Sequence, residues 1–329
     1  MKKFIYNIFV FVLPFLIVTI FFEVYLRTIN TQYKEKLNGL HKSSKNIEVL
    51  ILGNSHAAYG VNPNVMTKEA YNMAMVSQSL YYDFEIVKKE INNMPNLKYV
   101  ILSLDYHTLY FSNQEGTRNN WSYYDYGIDK NIDNITKLSR FWFGYTPRVS
   151  FSILTKDIKR RYTSLLNKKY VIDYDIQNDI DIHDKMKKGF LAFKNIKNRI
   201  SQKELKIRAK KFNNYVLNLN ERKANLYRFE KIFQYLSSKN INIILITSPC
   251  DKKIVELFNN KVRLNDIKEI NYLLKKYNVA YFDYLNLIKD DNMFYDFDHL
   301  NKDGALLFST MLNKDINSLS TKSDYELKN

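Results

Sequence analysis

The stretch from Asn46 to Pro63, NIEVLILGNSHAAYGVNP, narrows the possible folds more than any other part of this chain, because an apolar run stops abruptly in Gly53, Asn54, Ser55 and His56. A short continuous apolar run bounded by a turn reads as a strand buried on both faces, as in a parallel sheet. A Gly-Asn-Ser turn after such a strand would lift the Ser55 hydroxyl at the sheet edge where doubly wound folds bind ligands. The N–H groups at the start of the next helix would be within reach of a developing negative charge. Gly, Asn and Ser also favour turns for local reasons, so the tripeptide alone leaves a plain turn open.

The rest of the chain repeats the pattern. Apolar runs occur at Glu48 to Leu52, near Tyr71 to Ala74, and at Tyr99 to Leu104, Ile241 to Thr247 and Val279 to Tyr284. Helical spacing lies between them: Ser79 to Asn92 places Leu80, Phe84, Val87 and Ile91 on one face, and Asp266 to Tyr277 does the same with Ile267, Ile270, Leu273 and Leu274. Alternation of strand and helix predicts an α/β fold with a five-stranded parallel sheet covered on both faces. One gap is too long for a single crossover, so 106–201 is expected to be a long, largely helical insertion after the third strand. A long helical region from Gln202 to Ser238 then returns the chain, with Leu226, Phe229, Ile232, Phe233 and Leu236 facing the core. Asn301 is placed to cap a last helix in which Leu307 and Met311 pack on the sheet, and 319–329 reads as a polar tail.

Residues 4–22, FIYNIFVFVLPFLIVTIFF, contain no charged side chain, and as a helix they would cover roughly 30 Å, the hydrocarbon thickness of a bilayer. We read 1–28 as a membrane anchor and 29–46 as a juxtamembrane linker. Phe21, Phe22, Glu23 and Val24 offer no small-residue cleavage site, which argues against a signal peptide. Lys2 and Lys3 favour a cytoplasmic N-terminus and an extracytoplasmic domain over 47–318. Cys250 is the single cysteine and says nothing of the redox compartment. The formal net charge is +16, and 156–211 carries 17 Lys and Arg against 7 Asp and Glu, so 17 − 7 = +10 falls in one segment. Both a solvated helical face and a surface for an anionic partner fit that run. No nucleic-acid-binding motif accompanies it, and nucleic acid is not expected as a partner.

Near the other end, FYDFDHLNKDG sets Asp296 three residues before His299. That spacing lets the carboxylate reach the imidazole, fix its tautomer and stabilise the imidazolium formed when a serine gives up its proton. Ser55, His299 and Asp296 are therefore the candidate nucleophile, base and orienting acid. A metal pair is the other reading of Asp-x-x-His, but only Asp298 or His107 could be enlisted as a third ligand, and no metal is expected. No dinucleotide fingerprint or phosphate loop is present, so no cofactor is expected either. His56 follows Ser55 directly and should line the pocket or pack, since adjacent side chains on a turn diverge. His107 is expected at the core or rim. Trp121, Tyr123, Tyr124 and Tyr126 form an aromatic cluster suited to packing, a sugar ring or the bilayer interface.

GNSH after a strand, Asn72-x-Ala74-x-x-Ser77 after the second strand and Asp296-x-x-His299 before the last helix resemble the SGNH (GDSL-type) hydrolase and acyltransferase superfamily, over about 47–104 and 241–312. The resemblance implies a flavodoxin-like, doubly wound sheet, with Ser55 as nucleophile, His299 as general base and acid, and Asp296 as its partner. It puts the Ser77 N–H in the oxyanion hole, with Asn72 at the strand end. The family's third block normally supplies an asparagine side chain after the third strand; this chain reads ILSLDYH and has Asp105 or Tyr106 there, and a carboxylate would repel an oxyanion. Asn54, His56 or a residue of the insertion is a candidate replacement donor; without one, catalysis is weakened. The anchor followed at once by the serine block also resembles the teichoic acid D-alanyl transfer protein and the alginate O-acetylation accessory proteins. That likeness implies a membrane-anchored serine esterase or O-acyltransferase acting on a cell-envelope polysaccharide or teichoic-acid-like polymer, with a membrane-embedded acyl donor protein as partner. The alternative is a non-catalytic glycan-binding or scaffolding subunit that keeps the fold.

Overall fold

The computed structural model describes residues 1–28, 32–111, 127–128, 154–155, 157–159, 162, 186–193 and 201–326. These divide into two compact units, Met1–Leu37 with Glu115–Asp179, and Asn38–Gln114 with Ile180–Asn329. In the first unit, helix α1 (Lys2–Thr28) contains Pro14 and is long and apolar enough to cross a membrane. Tyr25 near its C-terminal end donates to Asp157 Oδ2 at 2.6 Å. Most of the expected insertion, with its aromatic cluster, lies outside the described residues, as do 29–31 of the expected linker; Gln32–Ser43 forms helix α2.

The second unit is built on strands β1 (Val49–Ile51), β2 (Ala70–Asn72), β3 (Tyr99–Ser103), β4 (Asn242–Thr247) and β5 (Ala280–Asp283). All pair in parallel, in the order β2-β1-β3-β4-β5, the flavodoxin-like arrangement. β1 to β3 are buried at every position, as a sheet covered on both faces demands, whereas the β5 edge is half exposed. The register sets Val49 beside both Ala70 and Tyr99, so β1 and β3 end close together and the turns that follow them share one edge.

Most of the helices that follow begin at a side-chain cap. Helix α3 (Ser55–Gly60) starts at Asn54, and helix α4 (Leu80–Glu90) follows the loop after β2. The α4 stripe is Leu80, Tyr82, Asp83, Ile86 and Val87, with Phe84 only half buried. The expected helical region from Gln202 to Ser238 is made of two helices, α5 (Gln202–Tyr215) and α6 (Leu219–Ser237). Asn218 starts the second by accepting the Glu221 N–H at 3.2 Å. Phe229, Ile232, Phe233 and Leu236 are buried as expected; Asn225 takes the place of Leu226, donating to the Leu109 and Phe111 carbonyls. Beyond the short helix α7 (Lys252–Val255), helix α8 (Asn260–Lys276) starts earlier than its apolar stripe suggests, because Asn259 caps it.

Helix α9 (Lys302–Glu326) corrects two expectations. Leu307 and Met311 are 43 % and 37 % exposed, and the core face is Ala305, Phe308, Leu312 and Ile316, a set spaced three and four apart. The start of the helix is as expected, with Asn301 Oδ1 accepting the N–H groups of Asp303 and Gly304; it is the neighbouring face that packs in the core. The backbone also stays helical through Glu326, past the expected start of the tail.

Candidate active site

Leu52 extends β1 by one bond, from its N–H to the Ile101 carbonyl at 2.9 Å, and the chain then turns at Gly53 with φ +128°. A Cβ on Gly53 would stand 2.2 Å from Ser103 Oγ, so both conformation and space require glycine. The turn is tied on two sides: the Gly53 N–H donates to Asp83 Oδ1 at 3.0 Å, and its carbonyl accepts from the Met75 N–H at 3.1 Å. Asn54 Oδ1 accepts the His56 N–H at 2.9 Å. Ser55 is thus the first residue of α3, where backbone N–H groups have no acceptor within the helix.

The opposing segment is a closed loop. Phe294 and Leu300 bridge, the Tyr295 N–H bonds to the His299 carbonyl, and the Asn301 N–H to the Met293 carbonyl. Within it Asp296 Oδ1 accepts the N–H groups of Asp298 at 3.0 Å and His299 at 2.8 Å, which folds the carboxylate onto the imidazole. His299 Nδ1 lies 2.9 Å and 3.0 Å from the two Asp296 oxygens, and its Nε2 lies 2.8 Å from Ser55 Oγ. With Nδ1–H donated to Asp296, Nε2 has its lone pair free to accept the Ser55 hydroxyl proton. Tyr59, Phe193 and Tyr295 wall this side; Phe193 stacks on Tyr295 at 4.2 Å and meets the His299 ring at 5.8 Å.

A second charged group lies behind the first. Arg208 on α5 donates through Nη1 to Asp296 Oδ2 at 2.7 Å and to Asp298 Oδ1. Burial works against the Arg208 charge, but these two carboxylates outweigh it and push its pKa up. His56 Nε2 lies 3.4 Å from Asp298 Oδ2, and His56 Nδ1 lies 3.5 Å from Asp105 Oδ2. Burial would hold the ring neutral; the Asp105 and Asp298 carboxylates override it and raise the His56 pKa to about 10. Burial likewise opposes the Asp105 carboxylate, and the His56 charge beside it overrides that and holds it at about 2. Asp298 is driven well below the usual range against its burial, by His299, His56 and Arg208. His107 has the reverse fate: burial, reinforced by His56, lowers it to about 4, and it stacks on Phe212 at 4.9 Å.

The structure brings Ser55, His299 and Asp296 into one hydrogen-bonded line and turns other expected site residues elsewhere. Asn72 is fully buried and donates to the Ala57 and Val61 carbonyls at 3.0 and 2.7 Å while accepting the Ala74 N–H at 2.9 Å, so it braces α3 against β2. Asn54 caps α3 and donates to Asp105 Oδ2 at 2.8 Å. Asp105 accepts from Asn54, from the Ser248 N–H at 2.9 Å and faces His56, so its charge is balanced inside the fold. Ser77 has φ +58° in the turn closed by the Gln78 N–H and the Met75 carbonyl at 3.1 Å. A small cavity beside this turn is lined by Gly53, Asn54, Gln78, Asp83, Ser103 and His107.

Sequence reasoning passed over Arg208, Asp83 and the pairing of His56. Arg208 has one local signal: the Ser201–Glu204 capping box starts α5 and puts Leu205, Ala209 and Phe212 in the core, with Arg208 on the flank of that stripe. Among the described residues, His56, Asp298 and His299 bring ligating atoms within 4.8 Å of one another. Those atoms already face Ser55, Asp296, Asp105 and Arg208, and a neighbouring guanidinium fits an ion-pair network better than a cation site.

No protein-family model matches the chain, and no curated protein matches it. Among solved structures it is similar to a GDSL-like lipase from Bacteroides thetaiotaomicron, with 8 % identity, 84 % of this chain and 90 % of that chain covered, and a TM-score of 0.38. It is similar also to a candidate acylhydrolase from Bacteroides fragilis, with 8 % identity, 85 % and 93 % covered, and a TM-score of 0.39. A candidate lipolytic protein of the G-D-S-L family from Desulfitobacterium hafniense gives 9 % identity, 82 % and 99 % covered, and a TM-score of 0.37. Likeness of this degree carries no argument about activity, which has to be read from the geometry of the site itself.

Proposed function

We propose that this chain is a serine esterase or O-acyltransferase held at a membrane by α1. The observation that carries the reading is the 2.8 Å approach of Ser55 Oγ to His299 Nε2, with Nδ1 of the same ring on Asp296. Ser55 Oγ attacks the carbonyl carbon of an ester while Nε2 takes the hydroxyl proton. The C–O bond to the leaving alcohol breaks, and the imidazolium returns the proton to that oxygen. Water or an acceptor hydroxyl then attacks the acyl-serine, its proton passes through His299, and Ser55 is regenerated. The N–H groups of Ser55 and Ser77 are the donors assigned to the oxyanion.

A cell-envelope polysaccharide or teichoic-acid-like polymer is the acceptor assigned here, with the N-terminus cytoplasmic and the domain outside. A membrane-embedded protein supplies the acyl group, since confinement beside such a donor raises its effective concentration. Full-length protein in detergent should label at Ser55 with a fluorophosphonate, and both Ser55→Ala and His299→Gln should abolish labelling. In cells, Ser55→Ala at equal protein level should strip acyl groups from a surface polymer. A wild-type chain that binds glycan and never labels would instead be a scaffolding subunit.

A further inference from the structure

Three carboxylates surround the His299 ring or its supports, where a serine-histidine-aspartate set needs one. Asp296 bonds its Nδ1 at 2.9 Å, Asp298 Oδ1 stands 3.8 Å from the same nitrogen, and Asp105 lies beyond His56. An imidazole facing several uncompensated buried carboxylates would stay protonated and could not act as a base. Two cations stand among them. Arg208 bonds Asp296 and Asp298, and the His56 ring fills the space between Asp298 and Asp105. Both His56 nitrogens face carboxylate oxygens and the side chain is 4 % exposed, so neither water nor substrate reaches it.

We propose that His56 is a positioning residue carried as a fixed imidazolium, clamped between Asp105 and Asp298, whose charge cancels the carboxylate that follows β3 and leaves His299 facing the net charge of a single aspartate. The sum is three carboxylates against His56 and Arg208, or −3 + 2 = −1, which the His299 imidazolium balances only when it forms during the reaction. The other groups around His56 do not change that sum. His107, edge-on at 5.6 Å, is held neutral by burial and by His56 itself; Cys250, near all three carboxylates, is kept as a thiol by burial; Lys211 acts on His107 from α5. Asp105 and His56 are then one neutral unit, and the carboxylate where a hydrogen-bond donor was expected presents no net charge to the oxyanion.

The importance given to His299 rests on the function proposed above; the His56 charge can be measured without it. Full-length protein carrying 13C-labelled histidine in detergent should show the His56 ring as imidazolium throughout pH 5 to 8, with assignments from His→Gln variants at the other histidines. A neutral His56 at pH 7 overturns the proposal. In H56Q the His299 titration should move up by about one unit, carrying the acid limb of the pH profile for Ser55 labelling with it. The charge-balanced double variant H56Q/D105N should restore both. An H56Q profile that keeps its midpoint while only the amplitude falls would make His56 merely structural and also overturn the proposal. Absence of labelling in the wild type would sink the esterase reading alone, with the His56 titration still decisive for its charge.

Discussion

Two buried carboxyl groups brace the nucleophile turn, and they titrate in opposite directions. Asp83 on α4 accepts the Gly53 N–H and a Gln78 side-chain N–H at 2.7 Å; Asp105, after β3, accepts from Asn54 and the Ser248 N–H and faces the His56 ring. Burial pushes Asp83 up to about 7, and its two neutral donors only soften the rise. Asp105 makes a similar number of neutral bonds and is held at about 2. The difference is the cation. Neutral dipoles do not replace the lost hydration of a buried carboxylate, whereas a contacting charge does.

Asp296 breaks the comparison most severely, because its carboxylate must orient a ring as well as exist as a charge. Asp296→Asn can still accept the Asp298 and His299 backbone N–H groups, but it places an amide against Nδ1 or favours the wrong tautomer. The labelling rate at Ser55 should fall roughly 10³- to 10⁴-fold with circular dichroism unchanged. A loss under tenfold would remove Asp296 from the proposed machinery.

Asp83 sharpens the comparison through pH. Its folded pKa of about 7 lies above the ordinary 3.8, so between those values the folded state binds more protons than the unfolded one, and stability falls as pH rises through that window. The decline reaches up to about 4 kcal/mol and levels off above pH 7. Asp83→Asn should remove it, seen as a flattened difference between denaturant midpoints at pH 5 and pH 8. An unchanged slope would place the titration elsewhere. His56 contributes with the same sign in a higher window: its stabilisation is complete below about 6.5 and is lost as pH rises toward 10.

Asn72 gives the smallest effect and separates bracing from catalysis. Asn72→Ala leaves two buried carbonyls and the Ala74 N–H without their partner, and should lower stability by about 2 to 3 kcal/mol. The labelling rate per folded molecule should change by less than about threefold, since the side chain is turned into the fold and away from Ser55. A large specific loss of rate would return Asn72 to the oxyanion site.

Much of the architecture was legible because it is written in local periodicity. β1 through β5 coincide with the apolar runs to within a residue or two, and Phe229, Ile232, Phe233 and Leu236 sit where helical spacing put them. Asp296 and His299 were legible for the same reason, since three residues separate them and the loop bends through its own backbone. Where local reading fell short, longer-range packing or a cap decided: Asn218 starts a second helix inside the expected helical region, and the core takes the Ala305, Phe308, Leu312 and Ile316 face of α9 instead of Leu307 and Met311.

From sequence alone came the parallel sheet, the apolar N-terminal helix, the serine at the end of β1 and the Asp-His pair, all consequences of spacing within a few residues. Only the tertiary structure decided that His56 stands between Asp105 and Asp298, that Arg208 reaches Asp296 from a helix distant in the chain, and that Asp83 is sealed beneath Gly53. Charge state follows from burial and from which groups of opposite sign are brought into contact, and both are properties of segments meeting in space rather than of neighbours along the chain.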